Sequence, residues 1–327
     1  HNAENNGGFI IGDQTGIGKG RIVAGMIRYA INRGLTPVFV TEKPNLYADM
    51  LRDLKDIGMG DLLGYGTKEL KVFMTNKDSI QYGSDGEFKI PVPTKKAGEK
   101  ILDGMISDGV LSKEYMAIFT TYTQLQTQQG KVTDRQKAIS AIAPNAYFIF
   151  DESHNAGGTG GEARKTSEDK QKESEYGFSG GRAGFARMLV GKAKASFFSS
   201  ATYAKRPNVM DLYASTNMSL AVDKPSQLGD AIARGGVPMQ QIVATMLAKD
   251  GQYMRRERSF NGVTYDSSVV SVDKKTADNM AEAMFKILKF SRAKEAAVKA
   301  LKKDLDAEGA LVSETGASAK FQVAGAN

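Results

Sequence analysis

The chain has 327 residues, of which 41% are hydrophobic and 25% charged, and it contains no cysteine. This composition provides a sizeable core, and the missing cysteines exclude disulfides, a thiol nucleophile and thiolate zinc sites. The two histidines, His1 and His154, are too few for a multi-histidine metal centre, and the net charge of +7 permits a polyanionic partner.

Neither a membrane-spanning segment nor a signal peptide is visible in the sequence. No apolar run approaches the ~18 residues that a spanning helix needs. We therefore expect a soluble, intracellular protein without a membrane partner. Because the chain starts with His1 in place of methionine, we also expect an internal piece of a longer chain.

Five short segments, apolar almost throughout, predict parallel strands that are buried on both faces. They are Gly8–Ile11, Pro37–Val40, Met116–Phe119, Ala146–Phe150 and Ser196–Ser199. Between the first two, apolar residues from Ile22 to Ile31 recur at helical spacing, and Gly34 is a suitable stop. This alternation predicts an α/β fold in which helices cover both faces of an open parallel sheet.

Two stretches interrupt the alternation, and the C-terminal part differs from it. Turn residues predict an insertion near 76–115, and the glycine-rich segment 155–184 predicts a long loop, which is either a solvated insertion or a substrate-gripping element. Residues 223–308 are predicted to be mostly helical, with one long helix or two joined helices in 274–308. The basic residues in 286–303 leave open a solvated face or a contact with nucleic acid or another partner. The polar tail 309–327 reads as a linker.

The strongest functional signal is the glycine-rich segment 12–20, GDQTGIGKG, which follows a strand and opens a helix. Such a loop directs backbone N–H groups at phosphate oxygens, and Lys19 would add a positive charge for the β- and γ-phosphates. The residues predicted to bind phosphate are Gly16, Ile17, Gly18, Lys19, Gly20 and Arg21. Asp13 departs from the usual glycine, and Gly20 stands where most such loops carry a Ser or Thr that ligates Mg²⁺, so water would fill that position.

Two further signals follow strands. Asp151 and Glu152 end an apolar strand at the edge where open α/β sheets bind ligands. We predict that Asp151 holds Mg²⁺, directly or through water, and that Glu152 polarises the attacking water. The third signal, Ser-Ser-Ala-Thr at 199–202, is on its own only turn chemistry, and its value comes from its position after the other two.

In this order, the phosphate loop, Asp-Glu-Ser-His and Ser-Ala-Thr resemble motifs I, II and III of superfamily 2 helicases. The details are similar to the strawberry notch family of helicase-like NTPases, in particular to phage or plasmid members. The similar segments are 12–21 with glycine after the lysine, 53–58 (DLKDIG), 119–122 (FTTY) and 234–262. The similarity covers nearly the whole chain except 76–100 and 155–184.

This resemblance implies a RecA-like first motor lobe over residues 1–222, followed by a family-specific extension over 223–308. It implies ATP and Mg²⁺ as cofactors and sequence-independent binding to the DNA backbone. The residues implied to contact DNA are Lys43, Thr120 and Thr121, and those implied to couple hydrolysis to strand binding are His154, Ser200 and Thr202. The arginine-bearing second lobe of such motors has no counterpart in the sequence, so a second RecA-like lobe of the parent chain is an implied partner.

Two classes of function remain open at this point. The first is an ATP-dependent DNA helicase or translocase module. If it is encoded by a phage, such a module would work in the host cytoplasm or travel in a virion, and it could be linked to anti-restriction. The second is a catalytically weak, helicase-derived scaffolding module that binds nucleotide or DNA without productive turnover, an alternative kept open by Gly20. A small-molecule kinase is disfavoured because the second and third signals are not a kinase arrangement.

Overall fold

The computed structural model describes residues 7–14, 16–76, 81–82, 89–128, 131–156, 177–178, 181–201, 207–221, 227–259, 261–264, 266–267 and 273–307. The chain divides into two compact units, His1–Ser259 and Phe260–Asn327. None of the described helices contains an apolar stretch long enough to cross a lipid bilayer.

The first unit is built on a parallel sheet. The strands are β1 (Gly8–Ile11), β2 (Thr36–Thr41), β3 (Val72–Met74), β4 (Gln81–Tyr82), β5 (Lys89–Ile90), β6 (Ala117–Thr121), β7 (Ala146–Asp151), β8 (Ala195–Ser199) and β9 (Tyr253–Met254). In the described part of the chain, seven of them pair in parallel in the order β3-β6-β2-β7-β8-β1-β9, and β4 pairs with β5 antiparallel. All five predicted strands are confirmed, whereas the very short β3 and β9 had not been predicted.

Helices cover both faces of the sheet, as predicted. They are α1 (Lys19–Asn32), α2 (Leu46–Leu54), α3 (Gly60–Leu63), α4 (Lys95–Asp108), α5 (Asp134–Ile142), α6 (Gly181–Lys192) and α7 (Leu228–Lys249). Successive residues of a strand point to opposite faces. Phe148 and Phe150 of β7 therefore pack with the core that includes α5 and α6, while Ile149 packs with α1 and α2.

Shorter helical turns complete the first unit. The 3-10 turns are Tyr122–Leu125, Ala143–Asn145, Ser153–Asn155, Pro207–Tyr213 and Asn217–Ala221, and a π-helical turn covers Lys55–Met59. Helix α7 is kinked because Gly236 has a positive φ of 59° and is followed by Pro238. Within α7, Ile232, Val243 and Leu247 are buried in the core beneath the sheet.

The first unit extends further than the sequence suggested. The predicted boundary at residue 222 differs from the observed one at Ser259, because α7 packs on the core and β9 pairs with β1. The insertion predicted near 76–115 contains β4, β5 and α4, but residues 77–80 and 83–88 lie outside the described part. The same holds for most of the 155–184 loop and for the tail 309–327.

The second unit contains one long helix, α8 (Lys274–Ala307). The sequence left open one long helix or two joined helices, and the structure has a single one. Its length follows from the absence of glycine and proline over these residues.

Candidate nucleotide-binding site

The loop between β1 and α1 has the backbone of a phosphate-binding turn. Gly16 and Gly18 have φ values of 82° and 85°, which glycine adopts without the steric cost of a Cβ. Gly18 precedes α1 without a side-chain cap, so first-turn N–H groups remain available to an anion. The ammonium of Lys19 donates to the carbonyl of Asp13 at 3.0 Å, across the loop that it follows.

A cavity of about 300 Å³ opens between this loop, helix α2 and the end of β7. The loop residues Gly16, Gly18, Lys19 and Gly20 line it, together with Asp151 and Glu152. Four of the six predicted phosphate-binding residues are thus at the cavity. The other two, Ile17 and Arg21, are not among the residues that line the cavity. The side chain of Arg21 is exposed and pairs with Asp56 at 3.3 Å.

The three residues predicted to carry the chemistry meet at this cavity. Glu152 Oε1 lies 3.8 Å from Lys19 Nζ, and Thr41 Oγ1 donates to Asp151 Oδ2 at 3.3 Å. Burial and the neighbouring Glu152 carboxylate raise the pKa of Asp151 to about 6, against the lowering effect of the Thr41 hydrogen bond and of Lys19. The cluster therefore favours a positively charged ligand beside its single ammonium.

Glu152 has a strained backbone. Its φ of 46° is the only positive φ of a non-glycine residue among those described. This conformation costs about 1–3 kcal/mol and persists only where surrounding contacts hold it. On either side of it, the Tyr122 hydroxyl donates to the carbonyl of Asp151 at 2.7 Å, and Ser153 Oγ lies 2.9 Å from the hydroxyl of Tyr213. The turn thereby aims the Glu152 carboxylate into the cavity.

Two of the three predicted coupling residues are in contact. His154 Nδ1 lies 2.9 Å from Ser200 Oγ and 3.3 Å from Glu152 Oε2. The backbone N–H of Ser200 donates to the carbonyl of Ile11, the last residue of β1, at 3.0 Å. A short chain of polar contacts therefore joins Glu152 to the strand that precedes the phosphate loop. The third predicted residue, Thr202, lies outside the described residues.

The residues expected to contact DNA separate into two kinds. Lys43 follows β2 and its side chain is 58% exposed, 4.0 Å from Glu42. Thr120 and Thr121 are fully buried, and the Thr120 hydroxyl accepts a hydrogen bond from Thr75 Oγ1 at 2.7 Å. These two side chains face the interior at the end of β6, and the contact of Thr120 and Thr121 with DNA stays a prediction.

A segment that the sequence analysis did not connect with the site runs along the phosphate loop. From Ile10 to Gln14, every second backbone N–H donates to a carbonyl of residues 252–256, at 2.8–3.2 Å. The donor–acceptor pairs are Ile10 with Gln252, Gly12 with Met254 and Gln14 with Arg256. A Cβ on Gly12 would overlap the ring of Tyr253, so only glycine allows this close approach. Residues 252–258 form what we call the strap.

Arginines of the strap hold the loop. The carboxylate of Asp13, which is fully buried, accepts from Arg256 Nε at 2.8 Å, from Nη2 of the same guanidinium and from the Arg256 backbone N–H at 2.7 Å. Arg258 donates from its guanidinium to the carbonyl of Gly16 and from its backbone N–H to Gln14 Oε1 at 3.1 Å. Asp13, which stands in place of the usual glycine, is the partner of Arg256. The sequence marked the two only separately, Asp13 as a departure from the usual loop and Arg256 as part of the segment 234–262.

The cavity wall fits a Mg²⁺ ion bound together with a nucleotide. Asp53, Asp151 and Glu152 supply carboxylate oxygens. Within the described residues, no three histidine or acidic side chains form a group that could hold an ion alone. Mg²⁺ is commonly held by one or two carboxylates plus phosphate oxygens and water, so this donor set suits it. Burial raises the pKa of Asp53, while Arg52 lowers it.

Comparison with known proteins agrees with this geometry. The family described as P-loop containing NTP hydrolase pore-1 matches residues 2–282. The chain belongs to this family. It is 28% identical to strawberry notch homolog 1 of Homo sapiens over 269 residues, 27% identical to strawberry notch homolog 1 of Gallus gallus over 269 residues, and 25% identical to strawberry notch of Drosophila melanogaster over 281 residues.

These matches confirm the predicted resemblance, and the chain is a strawberry notch-like, helicase-type NTPase module. The three alignments cover 79%, 79% and 82% of this chain but only 16%, 18% and 14% of the respective relatives. The chain therefore corresponds to less than a fifth of the length of these relatives.

We expect Arg256→Ala to lower the melting temperature by several degrees, because it leaves the buried Asp13 carboxylate without its cation. Arg255→Ala is the matched control. Its guanidinium pairs with Glu257 at 2.6 Å on the surface, where ion pairs contribute little. Thermal unfolding followed by circular dichroism measures both variants. Equal melting temperatures for the two would contradict a structural role for the Asp13–Arg256 pair.

Proposed function

We propose that the chain is the ATP-hydrolysing motor module of a DNA helicase or translocase. The observation that carries this proposal is the convergence of Lys19, Asp151 and Glu152 on one cavity beside a phosphate-binding loop. Family membership supports NTP hydrolysis in general. The coupling contacts of His154 support a link between the hydrolytic site and neighbouring strands.

Each residue has a role that its position suits. Lys19 exchanges the Asp13 carbonyl for phosphate oxygens when nucleotide binds, since an ammonium pairs better with a charged oxygen. The strained turn holds the Glu152 carboxylate at the cavity, where it accepts the proton of the attacking water. Asp151 would hold Mg²⁺ from the protein side, and the ion would supply positive charge that neutralises the phosphates.

DNA binding is the second part of the proposal. Lys43 is exposed after β2, and the chain carries a net charge of +7, which suits contacts with phosphates in place of base edges. A second RecA-like lobe of the parent chain would supply the arginine that stabilises the transition state, a contribution of roughly 10³–10⁵ in rate in related NTPases.

Lys19→Ala is expected to abolish nucleotide binding within the accessible concentration range, because the loop backbone alone lacks the compensating charge. Equilibrium titration with a fluorescent ATP analogue measures the affinity. Lys55→Ala removes an exposed lysine that lies over the Tyr65 ring and should bind like the parent. If Lys19→Ala retains affinity within about twofold, the phosphate-loop assignment fails.

For Glu152→Gln we expect nucleotide binding to persist while hydrolysis falls by roughly 10²–10⁴, the usual contribution of a general base. Phosphate release and nucleotide affinity are measured on the same preparation. Glu42→Gln changes an exposed glutamate that follows β2 and serves as the control. If the parent protein binds nucleotide but shows no turnover that Glu152→Gln can reduce, the scaffolding alternative is favoured.

Lys43→Glu is expected to weaken DNA binding at low salt and to reduce the slope of log affinity against log salt by about one, as loss of one phosphate contact predicts. Lys113→Glu gives the same charge change at an exposed position before β6, near the opposite edge of the sheet. Fluorescence anisotropy with two unrelated oligonucleotides measures the slope and its independence of sequence. Identical slopes for both variants would remove Lys43 from the DNA interface.

A further inference from the structure

Helix α2 places a carboxylate where the phosphate loop lacks a side chain. Gly20, in the first turn of α1, occupies the position at which most such loops carry the Mg²⁺-binding hydroxyl. A Cβ placed on Gly20 would overlap Oδ2 of Asp53. In a Ser or Thr the hydroxyl oxygen is one bond beyond that Cβ. The Asp53 carboxylate therefore fills the space of the missing hydroxyl.

The surroundings of Asp53 direct this oxygen at the cavity. Its side chain is 15% exposed and lines the same cavity as Lys19 and Asp151. Its Oδ1 accepts from Arg52 Nη2 at 3.5 Å, the long limit of a hydrogen bond, whereas Oδ2 is the atom against Gly20. The two oxygens are thus divided between a weak surface contact and the phosphate loop.

The geometry points to Asp53 as the residue that replaces the missing hydroxyl toward Mg²⁺, a role that rests on the nucleotide-binding function proposed above. Mg²⁺ requires hard oxygen ligands and is commonly held by one or two carboxylates together with nucleotide phosphates. Asp151 offers one carboxylate from β7, and Asp53 offers the second from α2. Asp53 also explains why residue 20 is glycine, because a larger residue would displace the carboxylate.

Manganese tests this role directly, since Mn²⁺ replaces Mg²⁺ and is visible by electron paramagnetic resonance. Mn²⁺ is titrated into the chain saturated with a non-hydrolysable ATP analogue. We expect Asp53→Asn, which keeps the shape of the side chain, to weaken Mn²⁺ binding by roughly 10- to 100-fold, the range typical for residues that support a metal site. Asp49→Asn is the matched control, because Asp49 lines the same cavity, contacts the same Arg52 and is far more exposed. It should bind Mn²⁺ within about threefold of the parent.

A second experiment moves the metal-binding oxygen from residue 53 to residue 20. Asp53→Ala combined with Gly20→Ser moves the oxygen back to the position usual for a phosphate loop, and we expect it to recover most of the Mn²⁺ affinity that Asp53→Ala alone loses. Recovery in the double variant would exclude misfolding as the cause of the loss.

Nucleotide affinity in the presence of EDTA separates this inference from the proposed function. Asp53→Asn should bind the metal-free analogue at least as well as the parent, since it removes a negative charge beside the phosphates. If the parent binds no nucleotide, the proposed function fails. If the parent binds nucleotide and Mn²⁺ but Asp53→Asn and Asp49→Asn have equal Mn²⁺ affinities, the role of Asp53 is overturned and the function stands.

Discussion

The buried carboxylate of Asp13 is the constraint on which the site depends. A carboxylate without exposure is costly unless it is paired and hydrogen-bonded, and here both requirements are met by Arg256, 243 positions later in the chain. The phosphate loop can take this conformation only when the strap lies beside it. A local glycine motif is thus completed by a segment at the far end of the first unit, which ends at Ser259.

The parallel sheet brings the phosphate loop and the other polar residues of the site to one edge, at the carboxyl ends of the strands. Because β1, β7 and β8 run in the same direction, the polar residues that follow their carboxyl ends lie side by side. Glu152 at the end of β7 reaches Lys19 after β1, and His154 joins Glu152 to Ser200 after β8. These contacts are all shorter than 4 Å, so any movement of the Glu152 carboxylate changes the contacts of the imidazole directly. In the proposed function, coupling between hydrolysis and the strand ends would need no longer path than this.

The sequence predicts what depends on short, repeated patterns. Apolar runs between helices identified the five longer strands, and glycine spacing beside Lys19 identified the phosphate loop, because both features are local. It did not predict β9, whose two residues carry no periodicity, although the strap completes the site. The position of Thr120 and Thr121 in the motif order predicted that they lie at a strand end but not that their side chains are buried, since burial there depends on the packing of β3 and β6.

Asp53 belongs to the same limit of prediction: its segment was noticed in the sequence, but its relation to Gly20 exists only after α1 and α2 pack together. Exchanging a hydroxyl for a carboxylate also alters the electrostatics of the cavity. The less exposed carboxylates of Asp53, Asp151 and Glu152 then face the ammonium of Lys19, whereas the charge of Asp49, whose side chain is 52% exposed, is screened by solvent. A bare polyphosphate meets repulsion from these carboxylates, whereas a divalent cation is attracted by them. If Asp53 has the proposed role, binding of nucleotide and of Mg²⁺ would therefore reinforce each other more strongly than in a loop that offers a neutral hydroxyl, because each ligand removes charge that opposes the other.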